Sequence, residues 1–188
     1  MIKLKQLILG DACLDCRGCC CHYEQEDTIW SPFFMREEMY ELADNNIVLP
    51  SVFSGIGLHC GETARPHLVK HEGIFLCPCF DIKENKCKIY LHRPFECQLY
   101  PFLLAQKDDT VYLAVAENCP YMQQPGRKEL IEEHIRYLMD MLSSEYFLRL
   151  AKNNPGIVQD YGQEVAYLVP LPELTRVIHV SSAARPQR

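Results

Sequence analysis

The clearest pattern of apolar positions follows Pro125-Gly126, where apolar residues recur every three or four positions. This is the period of one face of an α-helix. The pattern predicts a long helical region from about residue 127, which Ser143-Ser144 divides and Asn153-Asn154-Pro155-Gly156 ends. We interpret its apolar stripe as core packing. The stripe consists of Ile131, Ile135, Leu138, Leu142 and Tyr146.

A second helical pattern begins near residue 32. Ser31-Pro32 offers an N-cap followed by a proline at the first helical position, where the missing N–H costs nothing. Asp44-Asn45-Asn46 is expected to end this helix. Its apolar face would consist of Met35, Met39, Leu42 and Ala43.

Shorter apolar runs bounded by turn-forming residues predict strands. We expect a loop with short strands over residues 47–73, turns at 84–86 and 107–109, and a frayed polar end over 181–188. The predicted strands cover residues 74–76, 88–90, 111–116 and 165–169. Together these elements predict one α+β domain over residues 1–188, in which a small strand-and-loop core is surrounded by the two helical regions.

Charge and hydropathy narrow the class of protein. The chain has 25 acidic and 19 basic residues and a net charge of -6, which argues against a nucleic-acid partner. The apolar run at residues 7–9 is shorter than the roughly seven residues of a signal-peptide core, and no run approaches the roughly 18 of a membrane span. We therefore expect a cytoplasmic protein that does not enter the membrane and whose thiols stay reduced.

That expectation changes the meaning of the 11 cysteines. In a reducing compartment, clustered thiols indicate metal ligands or redox groups rather than a disulfide framework. One group spans residues 13–21 and a second spans 77–119, so a shared site requires the chain between them to fold back. The isolated Cys60 is interpreted instead as a small buried apolar side chain.

The first group reads Cys13-x2-Cys16-x2-Cys19-Cys20, with Cys21 adjoining it. Two residues between cysteines let a tight turn direct both sulfurs at one centre, and the doubled spacing resembles a loop that wraps an iron–sulfur cube. Because adjacent side chains point apart, we expect Cys19 and Cys20 to serve two centres or two atoms of one cluster.

The second group is spread among predicted strands and turns, with prolines close by. Proline fixes the local backbone, which suits a rigid ligand cage. A simple zinc finger would show two close pairs of cysteines, and here only the first group has that spacing. The second group comprises Cys77-Pro78-Cys79, Cys87, Arg93-Pro94-x2-Cys97-x2-Tyr100-Pro101 and Cys119-Pro120.

Taken together, these strings resemble the CxxCxxCC cysteine-cluster family of YkgJ-like proteins, described as a zinc- or iron-chelating domain. The resemblance covers about residues 13–120 and leaves 121–188 as a helical C-terminal extension. Because Cys79 stands where the family usually has an aromatic residue, the resemblance leaves open whether Cys77 or Cys79 is a ligand. Gln98 stands where arginine is common, and Cys21 is extra. The metal ligands that the resemblance implies are Cys13, Cys16, Cys19, Cys20, Cys77, Cys87, Cys97 and Cys119.

Two further residues are predicted to contact the cofactor. Several thiolates together are strongly anionic, so we expect Arg93 to neutralise part of their charge. Tyr100 is expected to pack beside the site and to hydrogen-bond within it.

The predicted function is binding of an iron–sulfur cluster, most simply 4Fe–4S, for electron transfer or as the cofactor of an unidentified reaction. Eight ligands would allow two clusters, or one cluster and a zinc ion. One alternative is a structural Zn²⁺ module that binds a protein partner, and another is a metal chaperone or sensor. The sequence does not identify the redox or protein partner or decide whether the protein is an enzyme.

Overall fold

The computed structural model describes residues 2–8, 19–26, 28–47, 52 and 63–183, with the backbone alone at Cys19 and 179–183. The chain forms two compact units. We call residues 1–99 with Cys119–Tyr121 the cysteine unit, and residues 100–118 with 122–188 the sheet–helix unit. Helices and antiparallel sheets together confirm the predicted α+β class. The single domain over 1–188 stays a prediction.

The cysteine unit is built from short pieces of regular structure. β1, β5 and β4 form one antiparallel sheet in that order, and β2–β3 and β6–β7 form separate antiparallel pairs. Two 3-10 turns cover Cys19–Cys21 and Tyr90–His92. The strands are β1 His22–Tyr23, β2 Phe34–Met35, β3 Thr63–Ala64, β4 Val69–His71, β5 Ile74–Leu76, β6 Phe80–Asp81 and β7 Lys86–Cys87, and the helices are α1 Arg36–Asp44 and α2 Phe95–Leu99.

The first helix begins later than predicted. Residues 34–35 pair with β3, so α1 starts at Arg36 rather than near residue 32. The Met35 N–H donates to Glu38 Oε2 over 3.0 Å, so a side chain one turn into the helix caps it, and Ser31 does not. The helix ends at Asp44, as predicted, and Asn46 has a φ of 55°.

The region around residues 88–90 also differs from its prediction. Instead of a strand, β7 ends at Cys87 and a 3-10 turn begins at Tyr90. The Lys88 N–H donates to Cys79 O over 2.8 Å. This hydrogen bond joins residues on either side of the turn predicted at 84–86. The predicted strand at 74–76 is confirmed as β5, and part of the predicted loop over 47–73 forms β3 and β4.

The core of the cysteine unit combines large apolar side chains with two cysteines. Phe34 and Leu42 are almost fully buried, and Leu76 and Ile89 pack in the same cluster. The other buried members are Tyr23, Leu68, Phe80, Cys77 and Cys79. Because two thiols belong to this core, the packing of the unit and the positions of its sulfurs depend on each other.

The sheet–helix unit has longer elements. Its sheet has the order β10–β9–β8, and the β8–β9 hairpin turns through Asp108, whose φ is 52°. The turn at 107–109 and the strands near 111–116 and 165–169 are therefore confirmed. The strands are β8 Phe102–Lys107, β9 Thr110–Ala116 and β10 Val165–Pro170, and the helices are α3 Lys128–Leu142, α4 Glu145–Asn153 and α5 Pro172–Ala183.

The long helical prediction is confirmed with its break. Ser144 begins α4 as its N-cap, and its Oγ accepts a hydrogen bond from Phe147 N over 3.2 Å. Leu138 and Leu142 are buried as expected, whereas Tyr146 is 60% exposed and does not belong to the buried stripe. α5 was not predicted from the sequence, and because it continues to Ala183, the predicted frayed end is wrong at residues 181–183. Residues 184–188 lie outside the described residues. None of the helices in the described ranges is long and apolar enough to cross a membrane.

Candidate metal centre

The predicted ligands that the structure describes all lie in the cysteine unit. Cys13 and Cys16 lie outside the described residues, as does Cys60. Cys19 opens the first 3-10 turn, and its side chain is not described. The described cysteines are free thiols and comprise Cys20, Cys21, Cys77, Cys79, Cys87, Cys97 and Cys119.

Backbone pairing joins the end of the first cysteine group to the start of the second. In the β1–β5 ladder His22 faces Leu76, and the Cys77 N–H donates to Cys21 O over 3.0 Å. The pairing therefore continues by one position, and Cys21 lies opposite Cys77. The Tyr23 hydroxyl donates to Cys20 O over 2.8 Å and fixes the turn before the strand. The segment between the two cysteine groups thus folds back, so that the start of the second group lies beside the end of the first.

Four thiols form a hydrogen-bonded series in the order Cys20, Cys21, Cys77 and Cys79. The bond from Cys21 lowers the pKa of Cys20, and the bonds from Cys21 and Cys79 lower the pKa of Cys77. The pKa of Cys21 is raised because its single S–H proton is shared between Cys20 and Cys77, and the pKa of Cys79 is raised because its proton is shared with Cys77. Negative charge on sulfur is therefore stabilised at Cys20 and Cys77, two of the predicted ligands.

Cys87 and Cys97 contribute thiols from two other elements. The pKa of Cys87 is raised to about 11, mainly by burial and in part by the charge of Cys77. Burial also raises the pKa of Cys97, with Cys77 again the largest charged contributor. The Cys77 charge thus acts on the pKa of both thiols in the same direction as burial does. Cys87 ends β7 and faces Phe80 in β6, whereas Cys97 lies within α2.

The last cysteine joins this unit from a distant part of the sequence. Cys119–Tyr121 belongs to the cysteine unit, although the residues on either side of it belong to the sheet–helix unit. Cys119 is 5% exposed. Cys119 therefore lies in the same unit as the other described cysteines, and its role as a ligand stays a prediction.

Arg93 is held beside the thiols by three contacts. Its Nε donates to Tyr90 O over 3.1 Å, its Nη2 donates to Gln6 Oε1 over 2.7 Å, and its guanidinium lies 3.8 Å from the centre of the Tyr90 ring. After the hydrogen bond from Cys21, the Arg93 charge is the other main influence that lowers the pKa of Cys20. A fixed cation near several thiolates can offset part of their charge.

Tyr100 is placed differently from Arg93. It lies in the sheet–helix unit, and its hydroxyl donates to Asn118 Oδ1 over 3.5 Å. Its predicted contact with a cofactor stays a prediction. Tyr90, the aromatic residue that stacks on Arg93, belongs to the cysteine unit.

Two buried carboxylates anchor the helix that contains Cys97. Neither role was predicted from the sequence. Glu38 Oε1 accepts a hydrogen bond from Phe95 N over 2.7 Å, at the start of α2. Glu96 Oε2 in turn accepts one from Phe33 N over 2.6 Å, in the segment before β2. Glu38 is 1% exposed, and burial raises its pKa to about 7. The local sequence indicated this role in one way only: Glu38 lies three residues after Met35, a spacing that is typical of a residue that caps the start of a helix.

Gln98 provides a third anchor for the same helix. Its Oε1 accepts from Leu4 N over 3.0 Å, and its Nε2 donates to Ile2 O and Arg93 O over 2.9 and 2.7 Å. The buried amide therefore satisfies backbone groups of the N-terminal segment just as a neighbouring strand would. No local sequence pattern indicated this role.

The chemistry of the donors fits a thiophilic metal. Thiolates select zinc and iron–sulfur clusters over harder cations such as Mg²⁺ and Ca²⁺. Within the part of the chain that the structure describes, no three His, Cys, Asp or Glu side chains are arranged so as to hold a metal ion. Two predicted ligands and the side chain of a third lie outside that part. The described thiols thus supply suitable donors without the geometry of a complete site.

The chain was compared with protein-family models, with curated proteins and with solved structures, and none of them matches it. The resemblance to the CxxCxxCC cysteine-cluster family therefore stays a prediction made from the motifs.

Proposed function

We propose that the cysteine unit binds an inorganic centre through thiolates, most simply a 4Fe–4S cluster, for electron transfer or as the cofactor of a reaction. The observation that carries this proposal is the backbone pairing that joins the two cysteine groups, in which Cys77 N donates to Cys21 O over 3.0 Å and Cys87 pairs with Phe80, the neighbour of Cys79. Several thiolates in one place are unfavourable unless cations compensate their charge, so a bound metal would be needed to hold all of these sulfurs as thiolates. A bound cluster would supply one-electron transfer.

The residues of the chain have distinct roles in this proposal. The thiolates are the ligands, and Arg93 compensates part of the remaining negative charge from its position on the Tyr90 ring. Glu38, Glu96 and Gln98 hold α2, and with it Cys97, through hydrogen bonds to backbone groups. Such outer contacts orient ligands and adjust the properties of the metal.

Two features support a cluster over a single zinc ion. Seven described cysteines belong to the cysteine unit, which exceeds the four ligands of a zinc site. In addition, the doubled x2 spacing of the first group is typical of cluster-binding loops. The proposed setting is the cytoplasm, where such thiols remain reduced, with a redox or protein partner.

A structural zinc site is the second candidate, and the fold gives one reason for it. The described strands of the cysteine unit contain only two or three residues, and α2 contains five. Strands this short are marginal on their own, so a metal that crosslinks them would contribute much of the folding free energy. In that case the metal holds the unit together, and a protein partner binds its surface.

Anaerobic purification followed by absorption spectroscopy and by iron, zinc and sulfide analysis tests the proposal. A cluster gives a brown protein that contains equal iron and sulfide and that bleaches on reduction. A colourless protein with stoichiometric zinc supports the second candidate instead. A zinc ion that a mild chelator removes within minutes would support the chaperone or sensor alternative, for which the exposed Cys20 is a suitable exchangeable ligand.

Substitution of one predicted ligand provides the matched control. Cys97→Ser is expected to lose at least half of the bound metal, whereas Cys60→Ser is expected to retain all of it. Full metal content in Cys97→Ser would contradict the ligand assignment. A protein without iron or zinc after anaerobic purification, and unable to take up either metal, would contradict the proposed function as a whole.

A further inference from the structure

Cys21 and Cys77 face each other across two antiparallel segments. The β1–β5 register pairs His22 with Leu76, and the next pair is Cys21 and Cys77, joined by the 3.0 Å backbone hydrogen bond. Side chains of directly opposed residues lie on the same face of a sheet, and the Cα atoms of such a hydrogen-bonded pair are about 5.5 Å apart. Disulfides span Cα separations of about 4.4–6.8 Å.

The two sulfurs also differ in access to solvent. Cys77 is 6% exposed, whereas Cys21 is half-buried and follows the exposed Cys20. The Cys21 and Cys77 thiols are already hydrogen-bonded to each other. Cys21 is therefore the more accessible residue of the pair, and the buried Cys77 lies opposite it without a change of register.

We propose that Cys21 and Cys77 form a reversible disulfide in the metal-free protein, so that oxidation and metal binding compete for Cys77. This inference rests on the proposed function, because Cys77 is one of the predicted ligands. A Cys77 sulfur in a disulfide cannot ligate a metal as a thiolate, and a metal-bound Cys77 is protected from oxidation. The pair would make metal loading of the cysteine unit sensitive to the redox state of its surroundings.

The proposed oxidant is a low-molecular-weight disulfide such as oxidised glutathione. The Cys21 thiol gives up its proton and its sulfur attacks one sulfur of this disulfide; a mixed disulfide forms, and one glutathione leaves as a thiolate that takes up the proton. The Cys77 sulfur then attacks the Cys21 sulfur and displaces the second glutathione thiolate. The protons of the two protein thiols end on the two released glutathione molecules. Two protein thiols are oxidised, and one glutathione disulfide is reduced to two thiols.

Two neighbouring pairs could compete with this one. The Cys77 and Cys79 thiols also hydrogen-bond, but these residues are two apart in one tight turn, in which Phe80 N donates to Cys77 O over 2.9 Å. Cys20 and Cys21 are adjacent in sequence, so a link between them would close a small ring. Of these pairs, Cys21–Cys77 alone joins two different segments, and the typical spacing of a hydrogen-bonded antiparallel pair lies within the range that disulfides span.

The test uses the full chain, made metal-free by anaerobic chelation. The protein is incubated with oxidised glutathione, remaining thiols are alkylated, and peptides are mapped by mass spectrometry. We expect the Cys21–Cys77 link to be the main internal disulfide and to disappear after addition of a reductant. In urea the same link should lose its predominance, because the β1–β5 register is lost. A main product that joins Cys77 to Cys79, or the same product distribution in urea as in buffer, would overturn the proposal.

Two variants identify the pair. Cys79→Ser should still form the Cys21–Cys77 link, whereas Cys21→Ser should accumulate glutathione adducts and leave Cys77 without an internal partner. If Cys79→Ser abolishes the internal disulfide and Cys21→Ser retains one at Cys77, the inference is wrong. Circular dichroism of each metal-free variant shows whether it keeps the secondary structure of the metal-free parent, so that failure to fold is recognised separately.

Competition with metal is tested by adding Zn²⁺ alone to the metal-free protein before the oxidant. We expect the Cys21–Cys77 link to form at least tenfold more slowly with stoichiometric zinc. An unchanged rate would refute competition for Cys77. Because the disulfide is mapped on metal-free protein, and metal content is measured independently, failure of this inference is distinguishable from failure of the proposed function.

Discussion

The two units of this chain reach a folded state by different means. In the sheet–helix unit, strands of six or seven residues pair along their length, and α3 alone spans 15 residues. In the cysteine unit, the described strands have two or three residues, and buried side chains supply many of the connections. Regular backbone ladders thus hold the sheet–helix unit together, whereas individual side-chain contacts hold the cysteine unit together.

Buried polar groups illustrate this difference. In the cysteine unit, Glu38, Glu96 and Gln98 bond backbone N–H or C=O groups of segments far away in sequence. In the sheet–helix unit, neighbouring strands satisfy most of these groups, as in the six consecutive pairs between β8 and β9. The loss of one side chain should therefore matter differently in the two units.

Removal of the metal should have the largest effect, and it should affect the two units most differently. We expect chelation to lower the hydrogen-exchange protection of Leu42 in α1 and Phe95 in α2 and to leave that of Leu113 and Val115 unchanged. Binding of a structural metal contributes folding free energy to the unit that holds it, about 10–16 kcal/mol in zinc peptides. Exchange mass spectrometry before and after chelation checks this, and equal loss of protection in both units would contradict it.

Phe102→Ala should instead destabilise the sheet–helix unit and leave the metal content of the cysteine unit unchanged. Phe102 is fully buried at the start of β8 and stacks on His134, with ring centres 5.7 Å apart. Its truncation is expected to cost about 3–5 kcal/mol in the sheet–helix unit, because a large cavity forms. Hydrogen exchange of β9 amides measures the change, and metal content should stay at the parent value. Leu168→Ala, at a position that is 39% exposed, is the control and should cost far less.

Glu38→Gln should change how the stability of the cysteine unit depends on pH. Burial raises the pKa of Glu38 from 4.5 to about 7, so the folded state holds this proton more tightly than the unfolded state does. The contribution of Glu38 is therefore most favourable below pH 4.5 and is lost as pH rises through 7, by about 3 kcal/mol. The variant should lack this decrease.

The control for this prediction is Glu37→Gln, at the exposed neighbouring position. Hydrogen exchange of Leu42 and Phe95 between pH 5 and 8, corrected for the intrinsic exchange rates, measures the free energy of opening. Metal binding also depends on pH, so each variant is compared with the parent at the same pH. If Glu38→Gln and Glu37→Gln show the same slope, Glu38 does not titrate as described.

Ser144→Ala should give the smallest effect and stay within the sheet–helix unit. Ser144 Oγ caps α4 by accepting from Phe147 N, and loss of an N-cap typically costs about 1 kcal/mol. Exchange of the first-turn amides of α4 measures this cost. Ser143→Ala is the matched control, since Ser143 is exposed at the end of α3 and does not cap α4. Equal effects of both substitutions would contradict a specific cap.

The parts of the fold that were predictable from the sequence depend on local patterns. The apolar period over α3, the break at Ser143-Ser144 and the turn at Asp108 follow from neighbouring residues, and all three are confirmed. The start of α1 was misjudged because Phe34 pairs with Ala64, thirty positions away. Long-range pairing of this kind overrides a good local cap signal such as Ser31-Pro32.

In the candidate metal site, too, features that depend on local spacing were predictable and features that depend on long-range pairing were not. Cysteine spacing indicated which thiols form groups, since that spacing is a property of the sequence itself. The position of Cys21 opposite Cys77 depends on the β1–β5 register, which two- and three-residue strands do not reveal in the sequence. The anchoring roles of Glu38 and Gln98 require partners 57 and 94 positions away, so they were not predictable from local motifs.

The membership of Cys119–Tyr121 in the cysteine unit has a consequence for how the chain is made and divided. During synthesis, residues 1–99 emerge before the segment that completes their unit, so the β8–β9 hairpin must leave the ribosome before the last thiol is available. A protein fragment cut at Leu99 would lack Cys119, and no single cut separates the two units intact. Any experiment on the cysteine unit therefore requires a polypeptide that extends at least through Tyr121.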